Sequence, residues 1–134
     1  MSRPAGPGGA VEAPRSLRRC DADAELQITL ADGSVHRLSY EFLRVHSPSA
    51  EVQGHGGGDR GELPVGKSGV GISEMRRIGR YAVQLVFSDG HDTGIYSWAY
   101  LHELLDNRED LWAGYLARLE TAGASRTPSE IFRG

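Results

Sequence analysis

Residues that could do chemistry gather most closely at Ser88-Asp89-Gly90-His91-Asp92. A carboxylate beside an imidazole orients the ring and raises its basicity, which suits a general base or a metal ligand. His91 is the first candidate, with Asp89 and Asp92 as its acidic neighbours. The other histidines stand at 36, 46, 55 and 102. His55 lies in the run Gln53-Gly54-His55-Gly56-Gly57-Gly58. If that loop folded back to His91, two imidazoles and a carboxylate would form a facial triad for iron, or a zinc site. Nothing in the spacing requires them to meet. The simpler reading has Asp89 only building the turn and His91 bonding to the backbone, and the sequence favours it. A third reading makes His91 the general base of a small enzyme, but no nucleophile or cofactor motif is fixed to serve it.

Other constellations are weaker. Ser47 and Ser49 flank Pro48 without a G-x-S-x-G elbow, so they read as loop residues rather than nucleophiles. Gly66-Lys67-Ser68 has the ending of a phosphate loop, but neither the preceding strand nor the following helix is present in the pattern. Asp92 and Glu103 imply no cleft between them, which argues against a glycosidase pair. Tyr96, Trp98 and Tyr100 read as core and rim aromatics rather than a ligand cage.

Composition narrows the classes further. The chain has 134 residues and a formal net charge of -3. That length supports one small domain with a core of its own, needing neither disulfide nor metal to fold. The mild acidity argues against nucleic acid as a partner. Cys20 is the single cysteine, so an intramolecular disulfide and a four-cysteine metal site are both excluded. No run approaches the ~20 apolar residues of a membrane helix, and no signal peptide is recognisable. A cytoplasmic protein is the expectation.

These residues need elements to position them. Tyr81, Val83, Leu85 and Phe87 alternate with Ala82, Gln84, Val86 and Ser88, a period of two that predicts a strand. Ser88-Asp89-Gly90 turns the chain, and His91 to Tyr96 is expected to return as the partner strand. Val70 to Ile78 predicts a strand before it. Glu25 to Leu38 predicts a hairpin about Asp32-Gly33, joined to the other strands in one sheet. Ser39 caps a short helix over Tyr40–His46, ended by Ser47-Pro48. Ser97 caps a helix from Trp98 to Leu105. A second helix, capped by Asp106 or Asn107, carries Leu111, Tyr115, Leu116 and Leu119 and stops at Gly123. The fold class is therefore α+β, a single small domain of mainly antiparallel sheet. Its bounds are 24–122, with a disordered tail at 1–23 and a flexible tail at 123–134. The glycine-rich stretch from Ser47 to Ser68 is read as an irregular surface loop.

Two stretches carry a family resemblance: Leu43 to Gly56, LRVHSPSAEVQGHG, and Tyr81 to Leu104, YAVQLVFSDGHDTGIYSWAYLHEL. They resemble the small bacterial proteins similar to the N-terminal domain of γ-butyrobetaine hydroxylase, long catalogued as a domain of unknown function. The resemblance spans about Leu26 to Leu119. In the hydroxylases a separate domain carries the iron and 2-oxoglutarate chemistry, and this chain is too short to hold it. The resemblance thus implies an accessory module, not a hydroxylase. It also implies a structural zinc, held by Cys-x-Cys-x-x-Cys and a histidine in an Asp-x-His turn. His91 matches that histidine, whereas the cysteine positions fall on Ser47, Ser49 and Val52. None of these three supplies a thiolate, and Cys20 lies too far upstream. The zinc site is therefore expected to be lost, and no cofactor is expected, with zinc or iron held by His91, His55 and Asp89 or Asp92 as the alternative. Family members fused to iron–sulfur P-loop ATPases imply a protein partner, an iron–sulfur carrier or a metal-enzyme client. The expected docking surface is the Gly54–Lys67 loop with the His91 turn, using Gly54, His55, Gly56, Lys67, His91 and Tyr96.

Overall fold

The computed structural model describes residues 11–48 and 63–128. Strand β1 (Ser16–Cys20) runs into a short 3-10 turn, then β2 (Glu25–Thr29), β3 (Val35–Ser39) and helix α1 (Tyr40–Val45). After residues 63–71 come β4 (Ile72–Ile78), β5 (Ala82–Phe87) and β6 (Gly94–Ser97). Helices α2 (Trp98–Asp106) and α3 (Arg108–Ala122) close the chain. The result is an α+β domain.

The strands form two antiparallel three-stranded sheets, ordered β1-β2-β3 and β4-β5-β6, rather than the single sheet expected. No strand of one sheet is paired with a strand of the other among the described residues. Side chains join them instead. Leu26, Ile28 and Leu38 of the first sheet share one core with Ile72, Val83, Leu85 and Phe87 of the second and with Leu101, Leu104 and Leu105 of α2. Arg19 Nη1 also reaches across to Ser73 O at 3.4 Å, where β4 carries an irregularity in its register.

Both tails depart from expectation. The tail drawn over 1–23 contains β1, paired residue for residue with β2 from Ser16↔Thr29 to Cys20↔Glu25. Its polar, arginine-bearing pattern hides the strand, because only Leu17 gives it an apolar position. The tail drawn over 123–134 is tied down at its start. Gly66 N–H donates to Ser125 O and Ser68 N–H donates to Arg126 O, both at 2.9 Å.

The caps follow the residue types. Ser39 Oγ accepts from Phe42 N–H at 2.9 Å, and Ser97 Oγ accepts from Tyr100 N–H at 3.0 Å. Asn107 stands at the N-cap of α3 but does not cap with its side chain, which donates back to Glu103 O. Gly123 takes the left-handed conformation, φ 68°, and ends α3. Tyr81, expected as the first residue of its strand, lies just before β5, which begins at Ala82, and is 61% exposed. β6 begins at Gly94, which leaves His91, Asp92 and Thr93 in the connecting turn.

Candidate functional site

The β5–β6 turn and the exit of α1 meet. Phe87 N–H donates to His91 O at 2.9 Å, and Gly90 takes φ 92°, so the chain reverses between these residues. Asp89 Oδ1 accepts from the His91 main-chain N–H at 3.1 Å. This is the turn-building role that Asp fills through its own short side chain. Asp89 Oδ2 accepts from Arg44 Nε at 2.9 Å and from Lys67 Nζ at 2.5 Å. The Asp89 side chain is 22% exposed, so these are partly shielded pairs. Burial opposes its ionisation. Lys67, the His91 N–H and Arg44 together outweigh burial and hold its pKa down to about 2.

Ser47 Oγ lies 2.9 Å from His91 Nε2, within hydrogen-bond distance. Two positions far apart in sequence, matched by the resemblance to a thiolate and an imidazole on one metal, are thus neighbours in space. The packing around them is close. A Cβ added at Gly94 would lie 3.0 Å from Ser47 Oγ and 3.0 Å from Tyr96 Cε1. Tyr96 is fully buried, and its hydroxyl donates to Leu43 O. Burial raises the Tyr96 pKa well above the usual phenol range. It is a core residue that fixes α1 to β6, not part of a docking surface as expected. Tyr100 OH donates to His46 O at 2.8 Å and pins the chain just before Ser47.

The expected ligands are only partly brought together. Asp89 stands beside His91, but both of its oxygens serve the turn and the two cations. Asp92 is exposed, and its main-chain O accepts from Gln84 Nε2. Ser49, Val52, Gly54, His55 and Gly56 lie outside the described residues. Among the described residues no three His, Cys, Asp or Glu side chains are grouped to hold a metal ion. Nor does the donor chemistry fit a structural zinc: Ser47 and Ser49 offer hydroxyls, Val52 offers no donor, and none replaces a thiolate. Lys67 is half-buried and ion-paired, and His91 is half-buried.

Two features at this face went unread in the sequence. Arg44 anchors the turn from α1. The Ser125–Pro128 segment borders Lys67 through the Gly66 and Ser68 bonds. Charge type at position 44 is a weak signal, since an arginine in a helix is most often solvated. No helix among the described residues is long and apolar enough to cross a membrane.

No curated protein matches the sequence. Two proteins with NMR solution structures are similar: one is 44% identical, with 90% of this chain and 94% of the other covered and a TM-score of 0.77. The second is 45% identical, with 93% and 92% covered and a TM-score of 0.78. A crystal structure of a protein of unknown function of the DUF971 family, from Acidithiobacillus ferrooxidans ATCC 23270, is 38% identical over 68% of this chain and 90% of the other, with a TM-score of 0.56. The family model described as "Gamma-butyrobetaine hydroxylase-like, N-terminal" matches residues 17–102. The chain therefore belongs to the γ-butyrobetaine hydroxylase-like N-terminal family.

Proposed function

We propose that the protein is a non-catalytic docking module in which hydrogen bonds and ion pairs hold the turn that a zinc ion would otherwise hold. One observation carries this reading: Ser47 Oγ and His91 Nε2 are 2.9 Å apart, at positions the resemblance matches to metal ligands. Beside them Arg44 and Lys67 tie α1 and the 63–68 segment to Asp89. The face is therefore pinned without a metal and stays accessible at Asp92 and Thr93, both exposed.

A general-base reading of His91 has less support. In a hydrolase the carboxylate would orient the imidazole, whereas Asp89 Oδ1 accepts from the His91 main-chain N–H. The partner we propose is a protein, an iron–sulfur carrier or a metal-enzyme client in the cytoplasm.

The test is a crosslinked capture from native extract, comparing wild type with Asp92→Arg. A defined partner recovered by wild type and lost from the variant supports docking at this turn. Failure to recover any specific partner by wild type would sink it.

A further inference from the structure

The start of the C-terminal segment bends at Arg126 and Thr127 and is held by its main chain and by one side chain. Ser125 O and Arg126 O each accept a main-chain hydrogen bond at 2.9 Å, from Gly66 and Ser68. Gly66 has φ 67°, and a Cβ there would sit 3.2 Å from Pro128 Cα, so the two backbones approach as closely as glycine permits. Arg126 Nε and Nη2 each donate to one oxygen of Glu41, both at 2.8 Å. Its guanidinium lies 5.3 Å from the centroid of a Trp112 ring. Main-chain bonds of this kind give affinity with little choice of sequence, whereas a planar fork over an aromatic ring gives the choice.

Glu41 makes that choice strict. It is 7% exposed, the one charged residue buried among the described residues. A carboxylate buried there without a cation is strongly disfavoured. Any segment that displaces Ser125–Pro128 must therefore return a cation to Glu41. A lysine could return the charge but not the bidentate fork. Only Gly123 and Ala124 separate α3 from Ser125, so the segment is presented to its site at high effective concentration.

We propose that Glu41, Trp112, Gly66 and Ser68 form a peptide-docking site that reads an arginine in a partner segment, with Ser125–Pro128 as its built-in competitor. This goes beyond the docking reading above, and the two fail separately: the peptide titration below does not involve the His91 turn, and the capture experiment does not involve Glu41.

The test uses a capped peptide of residues 124–128, titrated into the full chain and followed at the Gly66 and Ser68 amides by NMR. The chains are wild type, Arg126→Ala and, as a gentler release of the segment, Arg126→Lys. Both variants should bind the peptide at least about tenfold more tightly than wild type, because the tethered competitor is weakened. The same peptide with alanine for its arginine should not bind. Glu41→Gln should also bind poorly, although its own segment is loosened. If a folded Arg126→Lys chain ignores the peptide, or binds the alanine peptide equally well, the segment is a structural clasp and the proposal is wrong.

Discussion

Arg44 Nε lies 2.9 Å from Asp89 Oδ2 and fastens α1 to the β5–β6 turn across 45 positions of sequence. Lys67 shares that oxygen and Asp89 Oδ1 receives the His91 N–H, so one carboxylate gathers three segments of chain.

Stability should therefore fall in acid through Asp89. Its folded pKa of about 2 lies below the ordinary 3.8, so the folded protein binds this proton less readily than the unfolded chain. Its contribution is complete above the ordinary value and is lost as pH falls from there through about 2. The shift corresponds to about 2 kcal/mol. Asp89→Asn should destabilise the protein by about that amount at neutral pH and flatten the acid limb, read by urea unfolding from pH 2 to 7. An unchanged acid limb would show that the pairs are solvated.

His46 should give a second, shallower dependence. Burial holds its pKa below the ordinary 6.5; the Phe42 carbonyl opposes this, Arg118 adds to it and the Leu111 carbonyl opposes it again. The ring lies 4.4 Å from Phe42 and 6.3 Å from Tyr115, between α1 and α3. The unfolded chain takes this proton more readily, so stability is intact above the ordinary value and declines as pH drops below it. NMR titration of the imidazole should show a midpoint under 6.5. A midpoint above that value would reverse the sign.

Ser47→Ala and His91→Ala should each cost about 0.5–1.5 kcal/mol, the usual net worth of one hydrogen bond. The double variant should cost less than the sum, since the first change already removes the shared bond. Protein purified without a metal-affinity tag should carry far less than one zinc or iron per chain, by mass spectrometry, in wild type and variants alike. Near-stoichiometric metal that falls in His91→Ala would overturn the docking module as described.

Gly94→Ala should disturb the same contact from the opposite side. The new methyl would meet Ser47 Oγ and Tyr96 Cε1, each at 3.0 Å. Tyr96 is buried and cannot yield freely, so the loss should reach about 1–3 kcal/mol. Thermal unfolding reads the cost, and the His91 ring resonances should move with it. A variant as stable as wild type would mean that Ser47 swings aside.

What was legible in the sequence was local. Alternation in Leu26-Gln27-Ile28 and Val83-Gln84-Leu85, and serines set before apolar helical stripes, fix strands and caps within a few residues. β1 escaped because Arg18 and Arg19 mask its period. The split into two sheets escaped because pattern reports that a strand exists, not which neighbour it takes. Of the candidate site, His91, its Asp89 turn and the matched Ser47 could be read. Arg44 and the Arg126–Glu41 pair could not, because each is defined by a contact 45 or more positions away.

Division into two small sheets also leaves four outer strands, β1, β3, β4 and β6. Three carry charge: Arg18 and Arg19 on β1, Arg37 on β3, and Glu74, Arg76 and Arg77 on β4. Such charges discourage unwanted pairing between molecules. β6 has none and shows Ile95, 45% exposed. Its protection is brevity, four residues before Ser97 turns the backbone into α2. Fraying of the first turn of α2 would lengthen that edge, so the Ser97 cap guards solubility as well as helix stability.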